Sequence, residues 1–161
     1  MSMHDALSSK TLRWRAVRGV RPGFDLTDGT ETWAIARAGE VEIGERLYRT
    51  EAHKGGLLSL VDVSNGATVG SIRPMAHGPA AINAASGRYR MSKQGVLPFA
   101  LEVTQDFGGP QVLEMLRVGP LFRVRAGDGF DVAPPAEVEL LTVLSGMSVL
   151  DLLTPSHAEA A

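Results

Sequence analysis

Residues 138–153 of this 161-residue chain have the sequence VELLTVLSGMSVLDLL, which is strongly apolar. At 100° per residue its apolar side chains leave no uncovered sector wider than about 60°, whereas a helix at a protein surface keeps a broad polar face. A helix that is apolar all the way round has to be enclosed. The rest of the sequence must therefore build a structure that surrounds a helix.

A membrane-spanning helix is the alternative interpretation of this stretch. Spanning a bilayer takes roughly 20 apolar residues, but Glu137, Glu139 and Asp151 confine the uncharged run to residues 140–150. The N-terminus contains Asp5 and lacks the apolar core of about 7–15 residues that marks a secretory signal. We therefore expect a cytoplasmic protein with no transmembrane segment.

Residues 20–132 have the pattern of a succession of β-hairpins. The clearest is 57–72, where Asn65-Gly66 can adopt the positive φ values of a tight type I′ turn. Hairpins are also predicted at 99–115 and at 121–132, the latter turning at Gly127-Asp128-Gly129. Weaker strands are expected at 13–20, 24–26, 32–38, 42–48 and 82–91. Together they predict a meander of about ten strands in one sheet.

The sheet and the helix together predict a barrel. A sheet of this size tends to curl, and closure removes the edge strands that invite aggregation. A helix of 16 residues, about 24 Å long, matches the height of strands of seven or eight residues at ~3.3 Å each. We therefore predict a mainly β fold: a closed antiparallel β-barrel of hairpins with a hydrophobic C-terminal helix through its centre.

The expected organisation is a single barrel domain at residues 13–154 that contains the central helix, 137–153. Residues 1–12 are predicted to be an N-terminal tail and residues 155–161 a C-terminal tail. Pro134 and Pro135 favour a helix start, and Pro155 marks its end. Ser145, Gly146 and Ser148 would give the helix a narrow waist that strands could approach closely.

This pattern resembles the tubby C-terminal-like superfamily, in the short form typified by LURP-one-related proteins and phospholipid scramblases. The residues that carry the resemblance are the repeated units 60–72 (LVDVSNGATVGSI) and 101–115 (LEVTQDFGGPQVLEM), followed by the helix at 139–153. It covers residues 20–154. The chain departs from the scramblases because it lacks their Pro-rich head and their lipidatable cysteines. No headgroup-binding residue of tubby domains matches a position here.

The resemblance implies a non-catalytic binding module, because tubby domains bind phosphoinositide headgroups through basic side chains and scramblases associate with membranes. It implies anionic phospholipid headgroups or a protein as the partner, and peripheral membrane association. Since the helix would fill the lumen, the site should lie on the barrel exterior. Two alternatives remain: a small enzyme whose active site is assembled only in the fold, and a purely structural protein-interaction domain.

Composition excludes several kinds of site. The chain has no cysteine, which removes thiolate metal sites and cysteine nucleophiles, and its net charge of −2 argues against a nucleic-acid binder. The four histidines lack metal-ligand spacing, and Arg46 and Arg49 lie close enough to neutralise a cluster of glutamates. No catalytic residue, metal or cofactor is predicted. The histidines are His4, His53, His77 and His157, and the glutamates are Glu40, Glu42, Glu45 and Glu51.

Charge segregation supplies the candidate binding residues. No acidic residue occurs from position 6 to 24 or between Asp62 and Glu102. Arginines two apart on a strand project from one face, where paired guanidiniums suit an anionic headgroup. The candidate headgroup-binding residues are Arg13, Arg15, Arg88 and Arg90.

The competing interpretation is that these arginines are only the solvated face of half-buried strands. In that case Trp14, Tyr89 and Met91 would face inward. Trp14 and Trp33 are expected in the core or at the barrel rim, because isolated aromatic residues in strands usually pack.

Overall fold

The apolar stretch near the C-terminus forms a helix, α2 (Pro135–Leu153), in the computed structural model. Pro135 is its first residue, a position where the missing N–H is not needed and the fixed φ is already helical. The structure describes residues 2–17, 23–73, 79–85, 87–93, 100–105 and 108–153, without the side chains of 150–153. The predicted C-terminal tail, 155–161, lies outside the described residues.

The β-strands precede α2 and close into a ring of twelve, each antiparallel to its neighbours. Strands that follow one another in the chain pair with one another, and β1 pairs with β12 to close the ring. The predicted closed antiparallel barrel is confirmed. The strands are β1 (Leu12–Val17), β2 (Gly23–Thr27), β3 (Thr32–Arg37), β4 (Glu40–Ile43), β5 (Arg46–Ala52), β6 (Leu58–Asp62), β7 (Thr68–Arg73), β8 (Ala80–Ala84), β9 (Gly87–Lys93), β10 (Ala100–Gln105), β11 (Gln111–Val118) and β12 (Leu121–Ala126).

Helix α2 lies inside this ring and contacts opposite walls. β1 and β7 are six steps apart in the ring of twelve, so they face each other across the lumen. A Cβ placed on Gly146 would come within 2.6 Å of the Trp14 ring on β1, and a Cβ on Gly70 of β7 would lie 2.9 Å from Leu144 Cδ1. Residues 141–146 are all buried. The predicted central helix is therefore confirmed, as is its narrow waist at Gly146.

The hydroxyls of Thr142 and Ser145 in α2 bond to the backbone of the helix, whereas the buried Ser148 hydroxyl has no hydrogen-bond partner among the described residues. Thr142 Oγ1 donates to the Val138 carbonyl at 2.8 Å, and Ser145 Oγ donates to the Leu141 carbonyl at 2.6 Å. Such bonds to the carbonyl four residues earlier are the usual state of a buried helical hydroxyl. These polar side chains can therefore face the barrel wall without a partner on it.

Two predicted strands were wrong because each is a hairpin. The stretch 42–48 divides into β4 and β5 at Gly44, whose φ of +61° permits the reversal. The stretch 82–91 divides into β8, which ends at Ala84, and β9, which begins at Gly87. Both divisions fall at residues that are depleted in strands, Gly44-Glu45 and the run from Asn83 to Gly87, so the sequence carried a turn signal that the prediction of single strands passed over.

Two predicted turns also differ from the structure. The hairpin at 57–72 is confirmed, but its loop is longer than a type I′ turn, because Asp62 N–H bonds to the Ala67 carbonyl at 2.9 Å. The hairpin at 121–132 is wrong: β12 ends at Ala126 and Phe130–Val132 forms a 3₁₀ turn. The amide of Gly129 bonds back to Gln111 at 2.7 Å, so the chain folds over the barrel end instead of starting another strand.

The predicted N-terminal tail is wrong as well, because residues 1–12 contain a helix, α1 (Met3–Ser9), and the first residue of β1. A capping box starts α1: Ser2 Oγ accepts the Asp5 N–H, and the Asp5 carboxylate accepts the Ser2 N–H. Met3, Ala6 and Leu7 are buried, and α1 packs against α2 and β12. α1 thus covers the end of the barrel where α2 enters.

We expect alanine at three glycines to destabilise the fold in a graded way. Gly146→Ala should cost about 2–3 kcal/mol of unfolding free energy, because its Cβ would meet the rigid indole of Trp14. Gly70→Ala should cost about 1 kcal/mol, because the nearest atom is the movable end of Leu144. Gly87→Ala serves as the control, because a Cβ on Gly87 would enter open space. Urea denaturation measures all three, and equal losses would contradict the enclosed helix.

The turn after β2 should make stability depend on pH through Asp28. The Glu31 N–H, the Lys10 ammonium and the Thr30 N–H hold the pKa of Asp28 below its usual range. A carboxyl with a lowered folded-state pKa stabilises the fold above its unfolded value of about 3.9, and this contribution disappears as the pH falls further.

Asp28→Asn should accordingly lower the urea midpoint at pH 7, and its difference from the parent should shrink as the pH falls below about 4. Asp128→Asn is the control, because Asp128 has no hydrogen bond or ion pair within the part of the chain that is described. A difference that stays constant with pH would show that the Asp28 charge is not responsible.

Candidate anion-binding surface

The four candidate arginines occupy two separate places on the barrel wall. Arg13 and Arg15 lie on β1, and Arg88 and Arg90 lie on β9. These strands are four steps apart in the ring of twelve, about a third of the circumference. The fold therefore does not bring the two pairs into one site.

Within each strand the side chains alternate as predicted. Trp14, Tyr89 and Met91 are nearly fully buried and face the lumen. The arginines between them are on the outer face, because successive side chains of a strand point to opposite sides. Trp33 is partly buried and packs against the core, which confirms the expectation for both tryptophans.

Only Arg15 of the β1 pair is neutralised by a neighbour within the described structure. Arg15 Nε donates to Asp25 Oδ1 at 2.9 Å, and this bond raises the pKa of Arg15. Asp25 lies directly opposite Arg15 on β2 and is only 8% exposed. Arg13 lies against the turn at Gly29, where its Nη2 would be 2.7 Å from a Cβ on that glycine. Arg15 therefore has a structural role, and β1 does not present a pair of available guanidiniums.

The β9 pair lies in different surroundings. The acid-free segment between Asp62 and Glu102 builds β7, β8 and β9, which are consecutive in the ring. Charge segregation along the chain thus becomes a continuous sector of barrel wall without a carboxylate on any of its three strands. We call these strands the acid-free sector. The other acid-free segment, 6–24, places only β1 in the barrel wall, and the next strand supplies Asp25.

The strand register sets the arginines of the acid-free sector around small residues. Arg73 and Arg90 flank Ala81 on neighbouring strands, and Arg88 pairs with Asn83. Ala81 and Asn83 form the floor of an open hollow of about 350 Å³ that Arg88 and Arg90 line. The small floor residues leave space that the longer arginine side chains surround.

Two of these guanidiniums are not neutralised by the protein. Arg73 and Arg88 are exposed, and neither makes a hydrogen bond or an ion pair with any described residue. Arg73 Nη1 extends toward the 3₁₀ turn Lys54–Gly56, where it would lie 3.3 Å from a Cβ on Gly55. Arg90 is half-buried. The sector therefore presents positive charge whose counter-ions must come from outside the described structure.

The chemistry available in the hollow is that of binding. A guanidinium donates two parallel hydrogen bonds to phosphate or carboxylate, and the Asn83 amide can both donate and accept. Among the described side chains that line the hollow there is no carboxylate, histidine or serine. The guanidiniums and the amide suit recognition of an oxyanion.

Other candidate groups are placed apart from this surface. His4 stacks on Phe130 with ring centroids 4.6 Å apart, and His53 is exposed, whereas His77 and His157 lie outside the described residues. Glu40 faces Arg49 across β4 and β5, and Arg49 also binds Glu51 at 3.2 Å. Across the described ranges, no three His, Asp or Glu side chains converge as metal ligands would. None of the helices described there is both long and apolar enough to span a bilayer.

Sequence reasoning missed Arg73 as a site residue. The sequence prediction relied on arginines two apart on the same strand, which occur on β1 and β9. In the structure, Arg73 and Arg90 come together across neighbouring strands. The signal that could have found Arg73 is the length of the acid-free segment, which is long enough for several strands. Pairing along a strand was the weaker guide.

Comparison with known proteins assigns no family to this chain. No protein-family model matches it, and no match was found among curated proteins or solved structures. The resemblance to the tubby C-terminal-like superfamily therefore stays a prediction from the sequence.

Arg15 and Arg88 should respond differently to loss of charge. Arg15→Gln removes the cation that faces the buried Asp25 carboxylate, and an uncompensated buried charge destabilises a fold. Arg88→Gln removes no contact within the described structure and should leave stability unchanged. Thermal denaturation of the two variants measures the difference, and equal Tm values would contradict the structural role of Arg15.

Proposed function

We propose that this protein is a non-catalytic binding module whose acid-free sector binds the phosphate of an anionic phospholipid headgroup. The observation that supports it is the pair Arg73 and Arg88, exposed and without a protein counter-ion beside an open hollow. The lumen is occupied by α2, and a filled barrel has no internal ligand cavity. The outer wall is therefore the place for a ligand.

The spacing of the sector suits a single oxyanion. Adjacent strands are about 4.8 Å apart, so the backbones at Arg73 and Arg90 are roughly 10 Å apart across Ala81. Arg88 lies about 7 Å along β9 from Arg90. Long side chains at these distances can converge over the alanine, and the tetrahedral oxygens of phosphate can accept from several guanidiniums at once.

A protein-interaction function has one observation in its favour elsewhere on the barrel. Leu116 and Val118 on β11 are 42% and 39% exposed. Two exposed aliphatic side chains are a small patch by the standard of protein interfaces. Headgroup binding accounts for the exposed arginines of the acid-free sector, whereas protein interaction accounts for two side chains. Vesicle binding separates the two functions.

Flotation with vesicles tests the proposal. The parent protein should float with vesicles that contain phosphatidylserine or a phosphoinositide, should not float with pure phosphatidylcholine, and should bind less at higher salt. Each basic residue near an anionic surface contributes about 1 kcal/mol, so Arg73→Gln with Arg88→Gln should weaken binding roughly 30-fold. Arg88→Glu with Arg90→Glu should weaken it further.

The matched control is Arg13→Gln with Arg123→Gln, which removes the same charge from the outer faces of β1 and β12. Its binding should stay within a few-fold of the parent. Equal losses in both double variants would show that overall charge governs binding and that the acid-free sector is not a site. No flotation of the parent would leave protein interaction as the better candidate.

A further inference from the structure

Strand direction assigns every connection to one end of the barrel. In an antiparallel ring the odd-numbered strands all end at one mouth, and the even-numbered strands all end at the other. At the first mouth, the described connections are 38–39, 53–57, residue 79 and 119–120. At the second, they are 28–31, 44–45, 63–67, residue 85, residues 108–110 and the segment 127–134 that leads to α2.

The two mouths carry opposite charge. The described connections of the first contain Lys54 and no carboxylate. Arg37, Arg73 and Lys93 end their strands there, and the carboxylates next to them are Glu40, which begins β4, and Glu51, near the end of β5. The described connections of the second contain carboxylates and no lysine or arginine, and the cations next to them are Lys10, which pairs with Asp28, and Arg46, which begins β5. We call these ends the basic mouth and the acidic mouth. The carboxylates are Asp28, Glu31, Glu45, Asp128 and Asp131, with Asp62 at the end of β6.

Helix α2 runs along the same axis. It begins at the acidic mouth, directly after the connection that follows β12, and runs toward the basic mouth. The N-terminus of a helix carries partial positive charge and its C-terminus partial negative charge. The acidic mouth therefore faces the positive end of the enclosed helix and the basic mouth its negative end. This match helps the barrel to keep opposite charges at its two ends.

We infer that the protein meets an anionic bilayer with its basic mouth, through Lys54, Arg73 and Lys93, and holds its acidic mouth away from the surface. This orientation rests on the proposed headgroup binding. The three residues lie at the ends of β6, β7 and β9, on the same side of the ring as the hollow. Pro79, at the basic mouth, lines one end of the hollow, and Asn83 and Arg88, near the acidic mouth, line the other. A headgroup bound at the Pro79 end lies next to the basic rim.

Screening explains why a protein with a net charge of −2 can bind an anionic surface this way. The Debye length at physiological salt is about 8 Å, whereas β7, β8 and β9, with 6, 5 and 7 residues, span roughly 17–23 Å. The acidic mouth thus lies about two Debye lengths from a surface that touches the basic mouth, so most of its repulsion is screened. Docking by the side of the barrel would bring both mouths to the same distance and lose this advantage.

The absence of cysteine from the chain permits a direct test by single labels. His53→Cys lies in the connection before β6 at the basic mouth, and Ala67→Cys lies in the connection after Asp62 at the acidic mouth; both sites are exposed. Each variant carries the same fluorophore and is mixed with phosphatidylserine vesicles that contain a headgroup-attached quencher. Quenching should be several-fold greater at position 53. Equal quenching, or greater quenching at position 67, would overturn the orientation.

Charge variants provide a second measurement. Lys54→Gln with Lys93→Gln should weaken vesicle binding roughly 30-fold. Glu45→Gln with Asp128→Asn makes the protein less negative by two charges at the far mouth and should change binding less than twofold because of screening. If overall charge governed binding instead, this second variant would bind vesicles far more tightly, and the inference would be wrong.

The outcomes separate the two proposals. Selective quenching at position 53 in a protein that ignores the loss of Arg88 and Arg90 would keep the orientation and overturn the headgroup site. Sensitivity to those arginines with equal quenching would do the reverse. A parent that binds no anionic vesicle overturns both. Tighter binding to duplex nucleic acid than to vesicles at the same salt would reassign the basic mouth and overturn the orientation.

Discussion

The structure depends on burying a helix that has no polar face. Gly146 and Leu144 of α2 contact Trp14 and Gly70 on opposite walls of the ring, so the apolar surfaces of helix and strands pack against each other. Apolar area removed from water is the dominant favourable contribution to folding, and here one helix packs against the inner face of the sheet. Closing the ring also leaves no edge strand exposed. The outer face is then free to carry charge.

The charge pattern of the outer face follows from the meander topology, in which consecutive strands are neighbours. In a meander, residues near one another in sequence occupy neighbouring strands, so a long segment without acids becomes a continuous area of wall. This is why Arg73, Arg88 and Arg90 lie around Ala81 and Asn83. A fold with crossover connections would have interleaved this segment with acidic strands. The same path collects alternate connections at opposite mouths, which produces the axial charge separation.

The apolar periodicity of residues 138–153 predicts the central helix, and the repeated turns predict the closed barrel, because both patterns are local. Contacts that depend on strand register are harder to predict from the sequence, because the partners lie on different strands. Arg15 and Arg88 look alike in the sequence, and only the pairing with Asp25 on β2 shows that one is neutralised. The turn at Gly44 had a readable signal in the glycine itself, and α1 had one in the capping box of Ser2 and Asp5.

The closure of β1 on β12 also determines when this protein can fold. Trp14 and Gly146, which touch in the lumen, are 132 positions apart in the chain (146 − 14). α1, at the other end of the sequence, packs on the same helix. Contacts of such long range slow folding and leave incomplete chains exposed to aggregation. During synthesis the strands emerge before the helix that covers their inner face, so the barrel has no complete core until α2 has also left the ribosome.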